Sequence, residues 1–188
     1  MQIIEDKQFN GIDFSLIEFQ VGEYESCTFV NCNFENVSLS GTSFIECDFN
    51  TCNLSNAALK GTALKDVAFK NCKMLGLQFS DCNPFLLEFG FNNCQLDLAS
   101  FYGLKIKRTH FDNCKLLEVD FTETDLSEAS FANCDLNRAV FYYTILEKAD
   151  FRTALNYAID PEQNRLSKAR FSLSELPGLL HKYNIRIG

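Results

Sequence analysis

The sequence predicts an all-β solenoid with four sides, built as one domain, and three observations lead to it. Large apolar residues recur at every fifth position, which fits neither the helical period of about 3.6 residues nor the strand period of about 2. The same residue types recur again after twenty residues, and small side chains stand two positions before the large ones. Such a repeat is typical of a protein whose successive coils stack on one another.

The period of five is unbroken in two blocks of the chain. The first block runs from Phe9 to Phe79, and the second begins again at Leu86 and runs to Phe151. Only 46% of the chain is hydrophobic, so unbroken blocks of this length do not arise by chance. The frame slips between the blocks, which predicts a two-residue insertion between positions 79 and 91.

A longer period of twenty residues lies over the period of five. All nine cysteines occupy the small-residue offset of the running frame, and six of them are spaced by 20, 20, 22, 20 and 20 residues. The single interval of 22 coincides with the frame slip. Twenty residues therefore make one coil with five residues on each side, and about seven coils are expected. The six cysteines are Cys32, Cys52, Cys72, Cys94, Cys114 and Cys134.

The large residue and the small one two positions before it are expected to point into the solenoid, while the other three residues face water. Identical side chains then stack coil upon coil, with adjacent coils about 4.8 Å apart as in ordinary sheets. The cysteines are interpreted as small, buried apolar residues. The alternative, a metal or redox site, has no CxxC pair to support it.

The residue types that catalysis requires are not assembled by any motif of this sequence. Only two histidines occur, His110, which precedes a core Phe and is expected to face water, and His181 in the C-terminal segment. A catalytic base requires a nucleophile and an orienting partner, and no glycine-rich phosphate loop is present. We therefore expect a non-enzymatic protein without a metal or a cofactor.

Composition limits where the chain acts and what it binds. No apolar stretch approaches the ~20 residues of a membrane helix, and the start MQIIEDKQF lacks the basic and apolar regions of a secretory signal. The net charge of −8 has the wrong sign for a protein whose whole body binds nucleic acid. The expectation is a cytoplasmic protein that binds neither membrane nor nucleic acid directly.

Several segments resemble the A(D/N)LXX signature of the pentapeptide-repeat family, among them CDFNT, CNLSN, TDLSE, CDLNR and ADFRT. The resemblance implies a right-handed quadrilateral β-helix of pentapeptide repeats over residues 1–155. Residues 156–188 are then a connecting loop, a last partial coil and a C-terminal segment. The ending ARFSLSELPGLLHKYNIRIG resembles the C-terminal ends of the Qnr and MfpA-type quinolone-resistance proteins, and the nearly loopless repeat is closer to the MfpA form.

That resemblance implies an acidic, DNA-mimicking rod that binds and protects or modulates DNA gyrase or topoisomerase IV. The charge is banded, with a net charge of −8 over residues 1–59, +3 over 60–115, −6 over 116–150 and +3 over 151–188. The basic band interrupts a continuous acidic stripe. Two alternatives remain, a solvated surface that only maintains solubility, and a generic cytosolic scaffold for a different protein partner. The candidate partner-binding residues of the acidic face are Asp120, Glu123, Asp125 and Glu128.

The C-terminal segment changes from the period of five to helical spacing. Ser174 is suited to an N-cap and Asn184 to a helix end, so a short C-terminal capping α-helix is predicted between them. Because the open end of a solenoid needs a cover, this helix is expected to cap the last coil. Capping alone is one interpretation, and capping combined with a homodimer joined through the C-terminal ends is favoured. The expected cap and interface residues are Leu176, Leu179, Leu180, Tyr183, Ile185 and Ile187.

An unusual apolar run occupies outward positions in the last full coils. Its members are expected to be covered by the connecting segment 155–164 or by the C-terminal helix, because an exposed apolar patch usually meets a partner. The run consists of Val140, Tyr142, Tyr143 and Ile145.

Overall fold

The computed structural model describes residues 2–85 and 87–186, and in this part of the chain every strand is parallel to its neighbours. A four-stranded sheet contains Gln2–Glu5, Gly22–Glu25, Ser43–Ile45 and Ala63–Lys65. A nine-stranded sheet contains Gln8–Asn10, Thr28–Val30, Asp48–Asn50, Val67–Lys70, Phe89–Asn92, His110–Asp112, Ser130–Ala132, Asp150–Phe151 and Arg170–Phe171.

The strand register confirms the coil of twenty residues. Phe9 is aligned with Phe29, and Phe29 with Phe49. The register changes to 22 residues once, where Phe69 is aligned with Phe91. The backbone N–H of Asn83 still bonds in the original register, to the carbonyl of Thr62. The predicted insertion is therefore present, and the two additional residues lie between positions 83 and 89.

The four sides of the solenoid are numbered 1 to 4 in chain order, and each is named by the column of large apolar residues at its centre. Side 1 is centred on the column that begins at Phe9, side 2 on that of Phe14, side 3 on that of Phe19 and side 4 on that of Tyr24. Side 1 forms the nine-stranded sheet, and side 4 forms the four-stranded sheet in the first coils. Sides 2 and 3 are held mainly by isolated parallel bridges and single backbone hydrogen bonds.

The solenoid has about eight turns, since nine strands are stacked in the sheet of side 1. The sequence predicted about seven, and the difference comes from residues 152–171, where the repeat is only weakly recognisable. Arg170 is aligned with Asp150, and the Phe171 ring stacks on the Phe151 ring at 5.3 Å. The last coil therefore continues the same column of aromatic rings.

Columns of stacked rings fill the lumen, as the period of five predicted. On side 1 the Phe111 and Phe131 rings are 5.1 Å apart with an interplanar angle of 2°, and on side 3 Phe101 stacks on Phe121 at 5.3 Å. Rings of neighbouring columns meet edge to face, as Phe111 and Phe121 do at 5.9 Å and 81°. Both geometries are favoured between aromatic rings, so each Phe is fixed by its own column and by the adjacent one.

Most of the polar residues at the small inward position bond to the coil before them. The Cys52 thiol donates to the carbonyl of Phe29 at 3.4 Å, and the Thr124 hydroxyl donates to the carbonyl of Phe101 at 2.9 Å. All nine cysteines are buried and free, which confirms their assignment to the interior. Burial raises the pKa of the Cys47 thiol to about 11, so this group is a weak nucleophile.

Most corners of the repeat are turned by the residue two positions after the large apolar one. This residue has a positive φ, for example 52° at Asn31 and 68° at Gly103. The left-handed region is accessible to Gly and tolerated by Asn and Asp, and it costs other residues roughly 1–2 kcal/mol. Most corner residues are accordingly Gly, Asn or another polar type. Two in the described part of the chain are large and apolar or aromatic, Leu98 with φ 62° and Tyr143 with φ 52°.

The prediction of a C-terminal α-helix was wrong, because this segment forms two short 3₁₀ helices, Leu176–Leu179 and His181–Tyr183. Pro177 has no N–H to donate to a helical hydrogen bond, and Gly178 disfavours the helical conformation, so neither residue supports a longer helix. Gly178 also lies so close to Tyr157 that a Cβ would overlap the Tyr157 carbonyl oxygen. Glu175, not Ser174, precedes the first of these helices, whereas Asn184 ends the second in the left-handed region as predicted.

Phe121→Ala is expected to destabilise the protein by about 3–5 kcal/mol, because it leaves a cavity in a fully buried column of rings. Urea unfolding followed by far-ultraviolet circular dichroism measures this change. Thr122→Ala, at the neighbouring outward position, serves as a control and should change stability little. A cost below about 1 kcal/mol for Phe121→Ala would contradict the packing described above.

Thiol titration is expected to find few reactive cysteines in the native protein and all nine after unfolding, because every cysteine is buried and free. A reagent that forms a coloured thiolate product follows both states in one experiment. Rapid modification of most cysteines without denaturant would show that the coils open readily in solution.

Candidate protein-binding surfaces

The outward positions of side 4 carry a ladder of alternating charges in the last coils. Glu128 accepts from Arg108 Nε at 3.2 Å and from Lys148 Nζ at 3.0 Å, and these three residues occupy equivalent positions in consecutive coils. Hydrogen bonds from Lys148 and then Arg108 hold the pKa of the Glu128 carboxyl below its usual range. The Glu128 charge is therefore already balanced within the protein.

Asp125, on the same side, is also engaged by its neighbours. Its Oδ1 atom accepts from the N–H and the hydroxyl of Ser127 at 3.1 and 2.6 Å, and its Oδ2 atom lies 3.3 Å from Lys107 Nζ. Burial acts to raise the pKa of this carboxyl, but the Ser127 hydrogen bonds and Lys107 outweigh it, and the pKa is lowered. Asp125 thus stabilises its own turn.

Asp120 and Glu123 differ from that pair because they lie on side 3. Asp120 Oδ1 accepts from the Thr122 N–H at 2.9 Å, and within the described residues neither carboxylate is within ion-pair distance of a base. The four candidate residues are therefore divided between two sides that meet at a corner. Two of them are free to bind a partner, and two are balanced internally.

Free carboxylates continue from side 3 onto the first coils of side 4. Side 3 carries Glu18 and Asp81 in addition to Asp120 and Glu123, and Lys60 is its one base before residue 159. Side 4 carries five acidic residues and no base in its first three coils, at positions 2–6, 22–26 and 42–46. The N-terminal charge band is visible in the sequence, but only the coil register places these acids on one side. The five acids are Glu5, Asp6, Glu23, Glu25 and Glu46.

Aromatic and aliphatic side chains are exposed beside the free carboxylates of side 3. Val140 is 47% exposed, Tyr142 45% and Tyr143 58%, and the two tyrosine rings lie 4.2 Å apart. Ile145 belongs to side 4 and is partly buried. The expected cover is absent over the side chains of Val140, Tyr142 and Tyr143. The connecting segment meets their coil through backbone contacts such as the Tyr143 N–H to the Gln163 carbonyl, and the C-terminal segment lies against residues 156–162.

The C-terminal segment covers the last coil only in part. Leu179 packs against the core, and Lys182 Nζ bonds Asp160 Oδ1 at 2.8 Å and Glu162 Oε2 at 2.6 Å. The other expected apolar residues of this segment remain partly or largely exposed, which leaves an apolar end surface. They are Leu176, Leu180, Tyr183 and Ile185, while Ile187 lies outside the described residues.

A groove of 850 Å³ follows the corner between sides 4 and 1, close to the insertion. Its charged lining balances, with Asp66, Glu88, Glu128 and Glu147 against Lys105, Lys107, Arg108 and Lys148. His110 is exposed along it. Across residues 2–85 and 87–186, no three His, Cys, Asp or Glu side chains are grouped as metal ligands.

None of the helices in residues 2–85 and 87–186 has the length and the apolar character needed to span a membrane.

Comparison with solved structures finds other repeat proteins of this kind at low sequence identity. QnrB1, a plasmid-mediated fluoroquinolone resistance protein, is matched over all of both chains with 18% identity and a TM-score of 0.47. HetL, a pentapeptide repeat protein involved in heterocyst differentiation regulation in the cyanobacterium Nostoc, matches 90% of this chain and 87% of its own, with 17% identity and a TM-score of 0.37. A pentapeptide repeat protein of the Arabidopsis thaliana thylakoid lumen matches 81% of this chain and 89% of its own, with 17% identity and a TM-score of 0.30.

Family models identify the chain more directly than these superpositions do. Comparison with curated proteins finds no significant match. The model of the pentapeptide repeat region matches residues 42–109, 86–158 and 104–179, and the model of pentapeptide repeats in eight copies matches residues 25–56. These matches span most of the solenoid. The chain belongs to the pentapeptide-repeat family.

Proposed function

We propose that this chain is a non-enzymatic, cytoplasmic protein-binding module that binds DNA gyrase or topoisomerase IV and protects or modulates it. The observation that carries the proposal is the free acidic surface formed by side 3 and the first coils of side 4. Carboxylates without bases beside them produce a negative field that attracts a basic cleft. The C-terminal sequence resembles that of quinolone-resistance proteins, which supports a type II topoisomerase as the protein that contains this basic cleft.

A different protein partner is the second candidate, and one observation favours it. Lys105, Lys107 and Arg108 interrupt the acidic outward positions of side 4 in the middle of the rod. An imitation of DNA along this side would therefore be broken, whereas a scaffold for another protein requires no continuous stripe. Affinity purification from the host, followed by mass spectrometry, separates the two candidates by whether topoisomerase subunits are recovered.

Reversal of the free charges is expected to weaken topoisomerase binding. In the double variant Asp120→Lys and Glu123→Lys, affinity for purified gyrase should fall about tenfold or more, and its salt dependence should flatten, because two attractive charges become repulsive. Surface plasmon resonance at several salt concentrations measures both. Asp48→Lys with Asp112→Lys, on the opposite side 1, makes the same charge change and should leave binding unaltered.

The same variants test protection of the enzyme. Gyrase supercoiling in the presence of a quinolone, and drug tolerance of a susceptible bacterium that expresses the protein, should both respond to the wild type and not to the side 3 double variant. If the wild type changes neither supercoiling nor tolerance, the topoisomerase proposal fails.

We also propose a homodimer joined through the C-terminal ends. Exposed apolar residues remain around the cap, notably Tyr183 at 53% and Ile185 at 57%, and a two-fold partner would cover them with the same surface. Light scattering after size exclusion should give about twice the chain mass of 21.4 kDa. Leu180→Ser with Ile185→Ser should return it to the monomer mass. A wild-type protein of 21.4 kDa would leave the segment as a cap only.

A further inference from the structure

Three consecutive coils of side 3 present a patch of aromatic side chains with carboxylates in its centre. Ser100, Asp120 and Val140 are aligned in one column of parallel bridges. The same register places Tyr102, Thr122 and Tyr142 in the next column, and Gly103, Glu123 and Tyr143 in the corner column. Since coils are about 4.8 Å apart, Tyr102 and Tyr142 stand roughly 10 Å from each other with both acids between them. We call this the tyrosine surface, formed by Tyr102, Asp120, Glu123, Val140, Tyr142 and Tyr143.

The aromatic residues of the tyrosine surface contribute little to the fold. Tyr102 is 48% exposed and, like Tyr142 and Tyr143, stands at an outward position. Leu98, at the corner that leads into side 3, is 56% exposed. Exposed tyrosines of this density are more typical of interfaces than of free surfaces, because Tyr offers a large apolar ring together with a polar tip.

Backbone conformation is unfavourable for the residue present at Tyr143 and at Leu98, which borders the tyrosine surface. Leu98 and Tyr143 have φ of 62° and 52°, in the region that other corners of this solenoid mostly fill with Gly, Asn or charged residues. Asn at either position would ease the backbone without removing a core contact. The choice of Leu and Tyr therefore does not serve stability, and it adds apolar area next to the free carboxylates.

We infer that the tyrosine surface is a docking site for a protein segment that carries arginine between apolar side chains. Asp120 and Glu123 supply acceptors for a guanidinium group, and the tyrosine rings supply faces on which its plane stacks. Leu98, Val140 and Tyr143 then contact the flanking apolar side chains. A second copy of this surface is disfavoured, because its carboxylates would face the same carboxylates, and nucleic acid phosphates would be repelled.

This inference deepens the proposed function, on which it rests for the choice of side 3 as the binding side. The partner is then held at a compact site of three coils, and not by charge attraction spread along an acidic rod. Binding should then depend on aromatic contacts as strongly as on charge, which imitation of a phosphate backbone does not require.

The corner residues allow a test that separates binding from folding. Leu98→Asn and Tyr143→Asn should leave the unfolding temperature unchanged or raise it, because Asn is favoured at positive φ. The two substitutions together should weaken gyrase binding about tenfold or more, because they remove an interface tyrosine and a neighbouring apolar contact. Thr51→Asn makes the same kind of change at a corner of side 1, with φ 56°, and should leave binding unaltered. Unchanged gyrase binding in the double variant would overturn the inference while the proposed function stands.

A peptide titration tests the surface without any topoisomerase. The synthetic heptapeptide Gly-Leu-Arg-Gly-Leu-Arg-Gly is added to the ¹⁵N-labelled full chain, with Lys-for-Arg and Glu-for-Arg peptides as controls. Amide shifts should concentrate at residues 98–103, 120–123 and 140–143, be weaker with Lys and be absent with Glu. They should also disappear in the Leu98→Asn and Tyr143→Asn variant. Absence of shifts at millimolar peptide, or shifts elsewhere, would overturn the inference; if gyrase does not bind the wild type, this titration alone decides it.

Discussion

Stacking of each coil on an identical coil, at the spacing of parallel strands, is the constraint on which this structure depends. It requires that equivalent residues lie above one another, so one choice of side chain is repeated along the rod. The lumen admits a column of rings such as Phe111 on Phe131, and the position two residues earlier is mostly filled by the smaller side chains Cys, Ala, Thr and Val. Most of the polar atoms of those small residues bond to the previous coil, which satisfies them without water, although Thr42 Oγ1 is buried without a partner among the described residues.

The same constraint determines the electrostatics of the surface. Outward residues twenty positions apart become neighbours, so Arg108, Glu128 and Lys148 form a ladder although they are distant in sequence. Acids without an opposite charge at that spacing remain free, as Asp120 and Glu123 are. A net charge counted along the chain therefore says little about what a partner meets. The relevant quantity is the charge of each column.

Residues that face inward could be predicted from the sequence, and those that face outward could not be assigned a role. The lumen tolerates few side chains, so its period identified the coil, the insertion and the buried cysteines. Outward positions tolerate most side chains, and the balance of Asp125 by Ser127 and Lys107 depends on rotamers that no pattern encodes. The C-terminal helix was misjudged for another reason. Helical spacing of leucines was visible, but the close approach of Gly178 to Tyr157 depends on tertiary contact.

The insertion between residues 83 and 89 has a consequence for how the rod transmits cooperativity. The side 1 rings of Phe69 and Phe91 lie 5.4 Å apart there, close to the 5.3 Å between Phe151 and Phe171, and the side 3 rings of Phe79 and Phe101 lie 4.6 Å apart. In a quasi-one-dimensional protein, stability is the sum of each unit and its coupling to the next. Ring stacking and strand pairing both persist across the junction, since the strands Val67–Lys70 and Phe89–Asn92 pair over four residues, so the insertion does not divide the rod. Opening that begins at one end is therefore expected to pass through the junction, so that the coils bearing most of the N-terminal carboxylates and the coils bearing the tyrosines unfold as one unit.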